Sequence, residues 1–590
     1  MRTMPVFDSA RVAPACSIRQ LAGVALLSGF ILSACTPASP PTVPPAAPSN
    51  GQAPAAQPAT LKSITLLGTE VVDNFWMFGA TGAEHSGFLD AGFVGTNPAT
   101  TEVYPWLAEE VPSVEKGTWT IDAAASTMVT TIHLRPGLVW QDGTPYQPQD
   151  FVFGWQVATD PKVPINDKTT ANQIASIDTP DDRTIIIHWK SLYSKAATFQ
   201  KLEVRHLPRH IMESVYRDAV ASGDYSHFEN HPYFTREFVG MGPYKLTSYT
   251  DTTEWTLEAF DRYALGRPKI DRIHFRLITD ANALVTELLA GTADVAFGSI
   301  GQPQALALRQ QWEPTGKGAV SINPLSSRYL APSLNPWLQD PQVRRALLEA
   351  IDRESINHAL FADLSQVMNM PLSPREPRFA AADATAVKYP YDPQQANQLL
   401  DAAGWQRAAD GVRVNGQGDR MVIEYRAVSG DREQEAIRLA VRDFWSQVGV
   451  GIDIQNVTSQ QSRDPAYRNR WAGVAQLGGN VNVAEWELRW HTRNVPTEAN
   501  RWTGNNPSRW SNPQADAILD ELGTVNLARP RQDDLVMQFV KLWTDQVPAL
   551  PLVYNTDIVP VATRVTGIVP RSITGINSFF NWNVHEWDVR

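Results

Sequence analysis

Cysteine is nearly missing from this chain. Of 590 residues only Cys16 and Cys35 carry a thiol, and none follows residue 35. That excludes a disulfide framework for everything downstream, which must be held together by its core. Long apolar runs are missing too. No stretch after the first 34 residues offers the roughly 20 apolar residues that span a bilayer. Clustered lysine and arginine are absent, and the formal net charge is -11. This argues against nucleic acid as a partner, because phosphate contacts need grouped cations. There is no Gly-x-Ser-x-Gly, no His-Glu-x-x-His and no phosphate loop, so the usual hydrolase and nucleotide signatures have no footing. Ser113-Val114-Glu115-Lys116 fits Ser-x-x-Lys, but it lies between Pro112 and Gly117 with no partner motif and reads as a loop.

What is present begins at the N-terminus. Arg11 and Arg19 precede an apolar stretch, Leu21 to Leu32, and small residues lead to Cys35. Positive, apolar, small is the order of a secretory signal. Ile31-Leu32-Ser33-Ala34-Cys35 looks like the lipobox of a bacterial lipoprotein. In that reading residues 1–34 are a signal peptide, cleavage exposes Cys35, and its thiol carries a lipid. Loss of residues 1–34 takes away three arginines and one aspartate, which makes the body more acidic. Residues 36–60 hold eight prolines and no charged residue. Such a segment buries no core and reads as an extended, semi-rigid tether.

From Leu61 the chain reads as mixed α/β, long enough for about three to four structural units. Ile64–Leu67, Met128–Leu134 and Thr184–Trp189 read as strands. Asp280 caps a helix over Ala281–Ala290, Gly291 ends it, and Asp294–Phe297 reads as the next strand. Asp340-Pro341 and Asp392-Pro393 each pair a cap with proline at the first helical position. Met421–Val428, a helix over Glu433–Val448 and Gly451–Val457 form a strand–helix–strand unit, which favours a parallel pair. Two α/β regions separated in sequence suggest two lobes with a cleft between them, where binding sites concentrate.

Several ordered motifs resemble the extracytoplasmic solute-binding proteins of ABC importers, in the peptide, dipeptide and nickel-binding family (solute-binding family 5). Leu134-Arg135-Pro136-Gly137-Leu138-Val139-Trp140-Gln141-Asp142-Gly143-Thr144-Pro145, running on to Asp150, is similar to the family signature. Gly240-Met241-Gly242-Pro243-Tyr244, Gly291-Thr292-Ala293-Asp294, Asp340-Pro341-Gln342-Val343-Arg344-Arg345-Ala346 and Trp510-Ser511-Asn512-Pro513 resemble further family segments. The Asp142-Gly143 turn and Asp150, taken as a helix cap, are expected to be structural. The resemblance implies an α/β, two-lobed periplasmic-binding-protein fold with an extra subdomain inserted in the first lobe. The first lobe then comprises residues 61–104, 240–325 and 551–590, the insertion 105–239, and the second lobe 326–550. Crossing segments fall near Leu325–Tyr329 and Pro551–Asn555. Residues 35–60 are the lipidated cysteine and tether.

The resemblance also implies a function: a membrane-anchored, monomeric binding component that captures a small solute, a short peptide by default. It would close on the solute and deliver it to an ABC permease with its ATPase subunits, outside the cytoplasm, without cofactor or catalysis. Expected ligand-binding residues are Glu70 and Val71 after the first strand, Trp76, Tyr329 and Tyr554 at the crossings, and Asn480, Glu485, Trp486 and Trp490. Relatives pair a peptide's ammonium with an aspartate in the segment matching Trp471–Trp490. Here no aspartate lies between those two tryptophans, and the acids are Glu485 and Glu487, of which Glu485 is taken as the candidate. Trp486 and Trp490 lie four apart and share a face on a helix, either to stack on a ligand or to pack the lobe. Oligosaccharide is an alternative ligand. A surface chaperone, a signalling receptor or an anchored hydrolase are alternatives of another class. The pairs His206/His210 and His227/His231 have metal-compatible spacing, but Pro208 interrupts the first and turn residues surround the second, so packed or solvated histidines are expected.

Overall fold

The computed structural model describes residues 61–69, 74–76, 83–165, 168–250, 253–298, 300–333, 336–458, 461, 464–500, 502, 504–571 and 580–590. Cys35, Glu70 and Val71 lie outside the described residues. Strands are numbered along the chain: β1 (Ser63–Gly68), β2 (Trp119–Asp122), β3 (Thr127–His133), β4 (Ile174–Asp178), β5 (Thr184–Trp189), β6 (Tyr244–Thr250) and β7 (Glu254–Ala259). They continue as β8 (Arg272–Leu277), β9 (Val295–Phe297), β10 (Gly318–Pro332), β11 (Val422–Val428), β12 (Gly451–Val457), β13 (Val474–Asn480) and β14 (Leu550–Ala562). Ten of them form one sheet in the order β12-β11-β13-β10-β14-β9-β1-β8-β7-β6, and β2, β3, β5 and β4 form a separate four-stranded sheet.

Local chemistry explains the element ends. Asp280, Asp340, Asp392 and Asn512 each accept a hydrogen bond from a backbone N–H in the first turn of the following helix. Gly291 closes the helix Ala281–Ala290 in the left-handed region at φ 74°. The strand–helix–strand unit forms as expected, with Arg432–Gln447 crossing between β11 and β12, which pair in parallel.

The long strands β10 and β14 organise the fold. β14 pairs with β9 on one side and β10 pairs with β13 on the other, so these two strands alone join the halves of the large sheet. Each half has its own helices and apolar core. One core gathers Ile64, Phe88, Trp255, Phe275 and Trp587; the other gathers Leu347, Ile423, Tyr425, Val441 and Trp445. The four-stranded sheet packs a third, around Trp140, Phe151, Ile185 and Trp189.

Gln141 ties that third unit to the first half. Its side-chain N–H groups donate to the carbonyls of Leu89 (3.1 Å), Gly242 (3.1 Å) and Tyr244 (2.6 Å), and its carbonyl accepts from Gly240 N (3.0 Å). A Cβ on Gly240 would sit 2.1 Å from Leu89 O, so this turn must be glycine. Two of the sequence motifs are therefore one knot. Asp150 caps from within: it is the third residue of the helix Pro148–Thr159, and its carboxylate accepts from the backbone N–H of the N-cap residue Gln147 (2.9 Å). Its buried carboxylate collects N–H donors from Gln147, Trp140 and Arg209. Asp294 plays a similar part, accepting from Thr65 N (2.8 Å) and pairing with Arg564.

Candidate functional site: the cleft crossed by two strands

Register locates the cleft. β1 runs parallel to β8 and β9, so their carboxyl ends, Gly68, Leu277 and Phe297, face one way. Pairing through β14 sets Phe297 near the level of Val559 and Ser321. On the far side β11 and β13 are parallel, β13 is antiparallel to β10, and Asn480 pairs with Ser326. The carboxyl ends of both halves therefore point at each other. Between them lie residues 321–326 of β10 and 555–559 of β14. Sites in open α/β sheets form outside such strand ends.

Burial marks the same place. β14 is buried except at Val561 near its end and at Asn555, Thr556 and Asp557, three successive half-buried residues in mid-strand. Their partners Ser326, Pro324 and Asn323 form the matching floor on β10. The pairing slips twice, between Pro324 and Ser326 and between Arg328 and Tyr329. Each slip lies beside a proline, Pro324 or Pro551, which lacks the N–H a ladder requires. Both interruptions of the ladder fall within residues 324–329 of β10. Arg328, between the slips, pairs with Glu433 and donates to Asn555 Oδ1 (3.3 Å). Burial raises the Glu433 carboxyl pKa, and the Arg328 charge opposes that shift.

The expected ligand-binding residues divide into two groups. Asn480, half-buried, ends β13 opposite Ser326 on the cleft edge. Glu485 follows in the short turn Val483–Glu485, its N–H held by the Asn482 side chain (3.1 Å), and is also half-buried. Lys195, from the unit built on β2–β5, feels the Glu485 charge: burial pulls its ammonium pKa down, but Glu203 at 2.8 Å and, more weakly, Glu485 leave it raised. Val525, between the helices Pro513–Leu522 and Arg529–Gln546, packs on the core of that same unit. Glu485 therefore stands where the third unit meets the second half.

The aromatic candidates are packed in cores. Trp76 donates from Nε1 to His206 O (2.8 Å) and lies against Phe234. Trp486 donates from Nε1 to Pro371 O (2.8 Å) and stacks on Phe539 at 4.5 Å. Trp490 and Tyr329 pack together in the same cluster, and Tyr554 donates its hydroxyl to Met370 O (3.1 Å) and Leu372 O (2.7 Å). All five are at most 4% exposed. Shared-face spacing is the same for a buried stripe as for a stacking platform, so sequence alone left both open.

Floor residues went unnoticed in the sequence: Asn323, Asp557 and Arg571, which border a cavity of about 160 Å³. A signal exists. Asn555-Thr556-Asp557 is a polar triplet inside an otherwise apolar strand, and a strand that loses its alternation mid-course has lost its cover there.

The histidine pairs hold no metal geometry. His206 shares a hydrogen bond with Tyr146 Oη (2.5 Å), and burial lowers its pKa to about 3. His210 is taken by Asp142 (2.7 Å). Among the described residues no three metal-ligating side chains converge, and no helix is long and apolar enough to cross a membrane.

Comparison with known proteins agrees with this architecture. Residues 102–514 match the family described as bacterial extracellular solute-binding proteins, family 5 Middle. The chain belongs to that family. Its relatives include the oligopeptide-binding protein AppA of Bacillus subtilis, 22% identical over 457 residues, covering 75% of this chain and 76% of the relative. Heme-binding protein A of Haemophilus influenzae is 24% identical over 514 residues, covering 82% and 85%. Among solved structures, a periplasmic oligopeptide-binding protein of an ABC transporter from Thermotoga maritima superposes with TM-score 0.72 at 19% identity, over 90% of this chain and 99% of that one. The fold is thus the two-lobed periplasmic-binding-protein fold. The family is described as one of extracellular solute-binding proteins.

Proposed function

We propose that this chain is the substrate-binding component of an ABC importer, anchored to the outer face of the cell membrane through a lipid on Cys35. It captures a short peptide between its lobes as a monomer and hands it to a permease powered by separate ATPase subunits. The observation that carries the capture mechanism is the crossing itself: two strands, each slipped beside a proline, over a half-buried polar floor. Residues 61–104, 240–325 and 551–590 serve as lobe I, 105–239 as an inserted subdomain and 326–550 as lobe II. A ligand favours closure only through contacts it gains in the closed state. Lys195 and Val525 already bring the subdomain to lobe II, so Glu485 is positioned where closure would enclose a ligand's charged end.

The peptide assignment draws on the names of relatives and on Glu485 as an acid where the inserted unit meets the second half. An ammonium drawn out of water needs a charged partner. Oligosaccharide would need exposed stacking faces, and Trp76, Trp486 and Trp490 do not offer them. Calorimetric titration of residues 61–590 with a free-amino tetrapeptide and its N-acetylated form tests this. Glu485→Gln should weaken the free-amino peptide about 10- to 100-fold, the worth of one charge-assisted hydrogen bond, and leave the acetylated peptide unchanged. Equal affinity of variant and wild type removes Glu485 as the anchor. Absence of binding by any of a mixed set of peptides overturns the peptide reading.

A further inference from the structure

The cavity in the cleft floor has a chemistry of its own. Asn323 and Asp557 are register partners and face the same side of the sheet, as do Ser321 and Val559. Asn323 is 2% exposed. Its amide N–H donates to Ser321 Oγ (3.0 Å), while its Oδ1 is buried with no hydrogen-bond partner among the described residues. Turning the amide over would exchange the two atoms and still leave one unpartnered. A buried polar atom left unpaired costs free energy unless something outside the protein meets it. Asp557 accepts from Arg571 Nε (3.1 Å), and both side chains are at most 15% exposed. The two charges neutralise one another, so this wall carries no net charge to attract an ion. The remaining wall is mostly apolar, with Val559, Ile568 and Phe580, and adds the hydroxyls of Ser321 and Thr566.

We infer that this cavity is a side-chain subsite for a neutral aromatic ring bearing a hydrogen-bond donor, the chemistry of a tyrosine side chain, with Asn323 as the residue that reads the hydroxyl. Size supports a single ring: a cavity of about 150 Å³ holds benzene, and this one is about 160 Å³. An indole is larger than that, and a serine or threonine side chain would leave most of it empty. Charged side chains meet an already paired Asp557–Arg571 and gain nothing for their lost hydration. A phenolic hydroxyl reaching Asn323 would supply the partner its side chain lacks.

As the site of a peptide residue, the inference rests on the peptide reading; as a phenol site it stands apart from it. Accordingly the test uses two probes. Saturation titrations of residues 61–590 by NMR with p-cresol and with toluene should show p-cresol binding about two- to ten-fold more tightly, the range of one net hydrogen bond. Asn323→Leu should abolish that preference while toluene still binds. Equal binding of the two probes to wild type, or a preference that survives Asn323→Leu, overturns the inference. The wild-type comparison stands even if the variant fails to fold. Peptides matched except for Tyr against Phe should then repeat the preference. If p-cresol shows it and no peptide binds, the peptide reading fails and the phenol subsite remains.

Discussion

Replacing Trp486 with alanine distinguishes a tryptophan that holds a lobe together from one that holds a ligand. The side chain is 1% exposed, stacks on Phe539 with ring centroids 4.5 Å apart, and donates to Pro371 O at 2.8 Å. Removing a buried tryptophan costs about 3–5 kcal/mol in lost transfer and cavity terms. Leaving the Pro371 carbonyl without its donor adds about 1 kcal/mol. The expected loss is about 4–6 kcal/mol. If lobe II unfolds as its own unit, a domain of that size shifts by about 2–4 °C per kcal/mol, so its melting transition should fall by roughly 10–20 °C. Differential scanning calorimetry on residues 61–590 reads this directly, with the lobe I transition as an internal control. Ligand affinity at 20 °C, where the variant is still folded, should stay within about three-fold of wild type. An unmoved transition accompanied by a large loss of affinity would refute the argument and return the ring to the cleft.

Gln141→Leu should lower stability by about 2–4 kcal/mol, because four hydrogen bonds are lost and the carbonyls and N–H they satisfied stay buried; limited proteolysis should then cut first near the Gly240–Tyr244 turn, and an unchanged digestion pattern would refute the knot. Glu349 has its pKa raised to about 7, chiefly by burial and secondarily by Asp392. Its folded carboxyl keeps its proton when the unfolded one has lost it, so its contribution is intact below about pH 4.5 and lost as pH rises toward 7. Glu349→Gln should therefore stabilise the protein at pH 8 by about 1–2 kcal/mol, a figure reduced for partial solvent screening, and do little at pH 4; parallel denaturation curves at both pH values check the sign.

Much of the fold was legible in the sequence because its signals are short-range. Asp280, Asp340 and Asp392 act on N–H groups two or three residues away, and Gly291 answers one left-handed position. The strand–helix–strand unit over residues 421–457 needed only periodicity and length. Glu485 was likewise visible as one of two acids, with Glu487, in a segment that lacks aspartate. The family motifs were readable as motifs, yet their purpose was not. That Gln141 reaches Leu89, Gly242 and Tyr244 depends on segments up to 103 residues apart. Tertiary structure alone decided which faces meet. Whether Trp486 and Trp490 stack on a ligand or pack a lobe depends on Phe539 and Pro371 arriving from elsewhere. That Asn323 and Asp557 share the floor of the cleft depends on the register of β10 against β14, set by pairing across more than 230 residues. A one-residue slip of one strand would put the two on opposite faces.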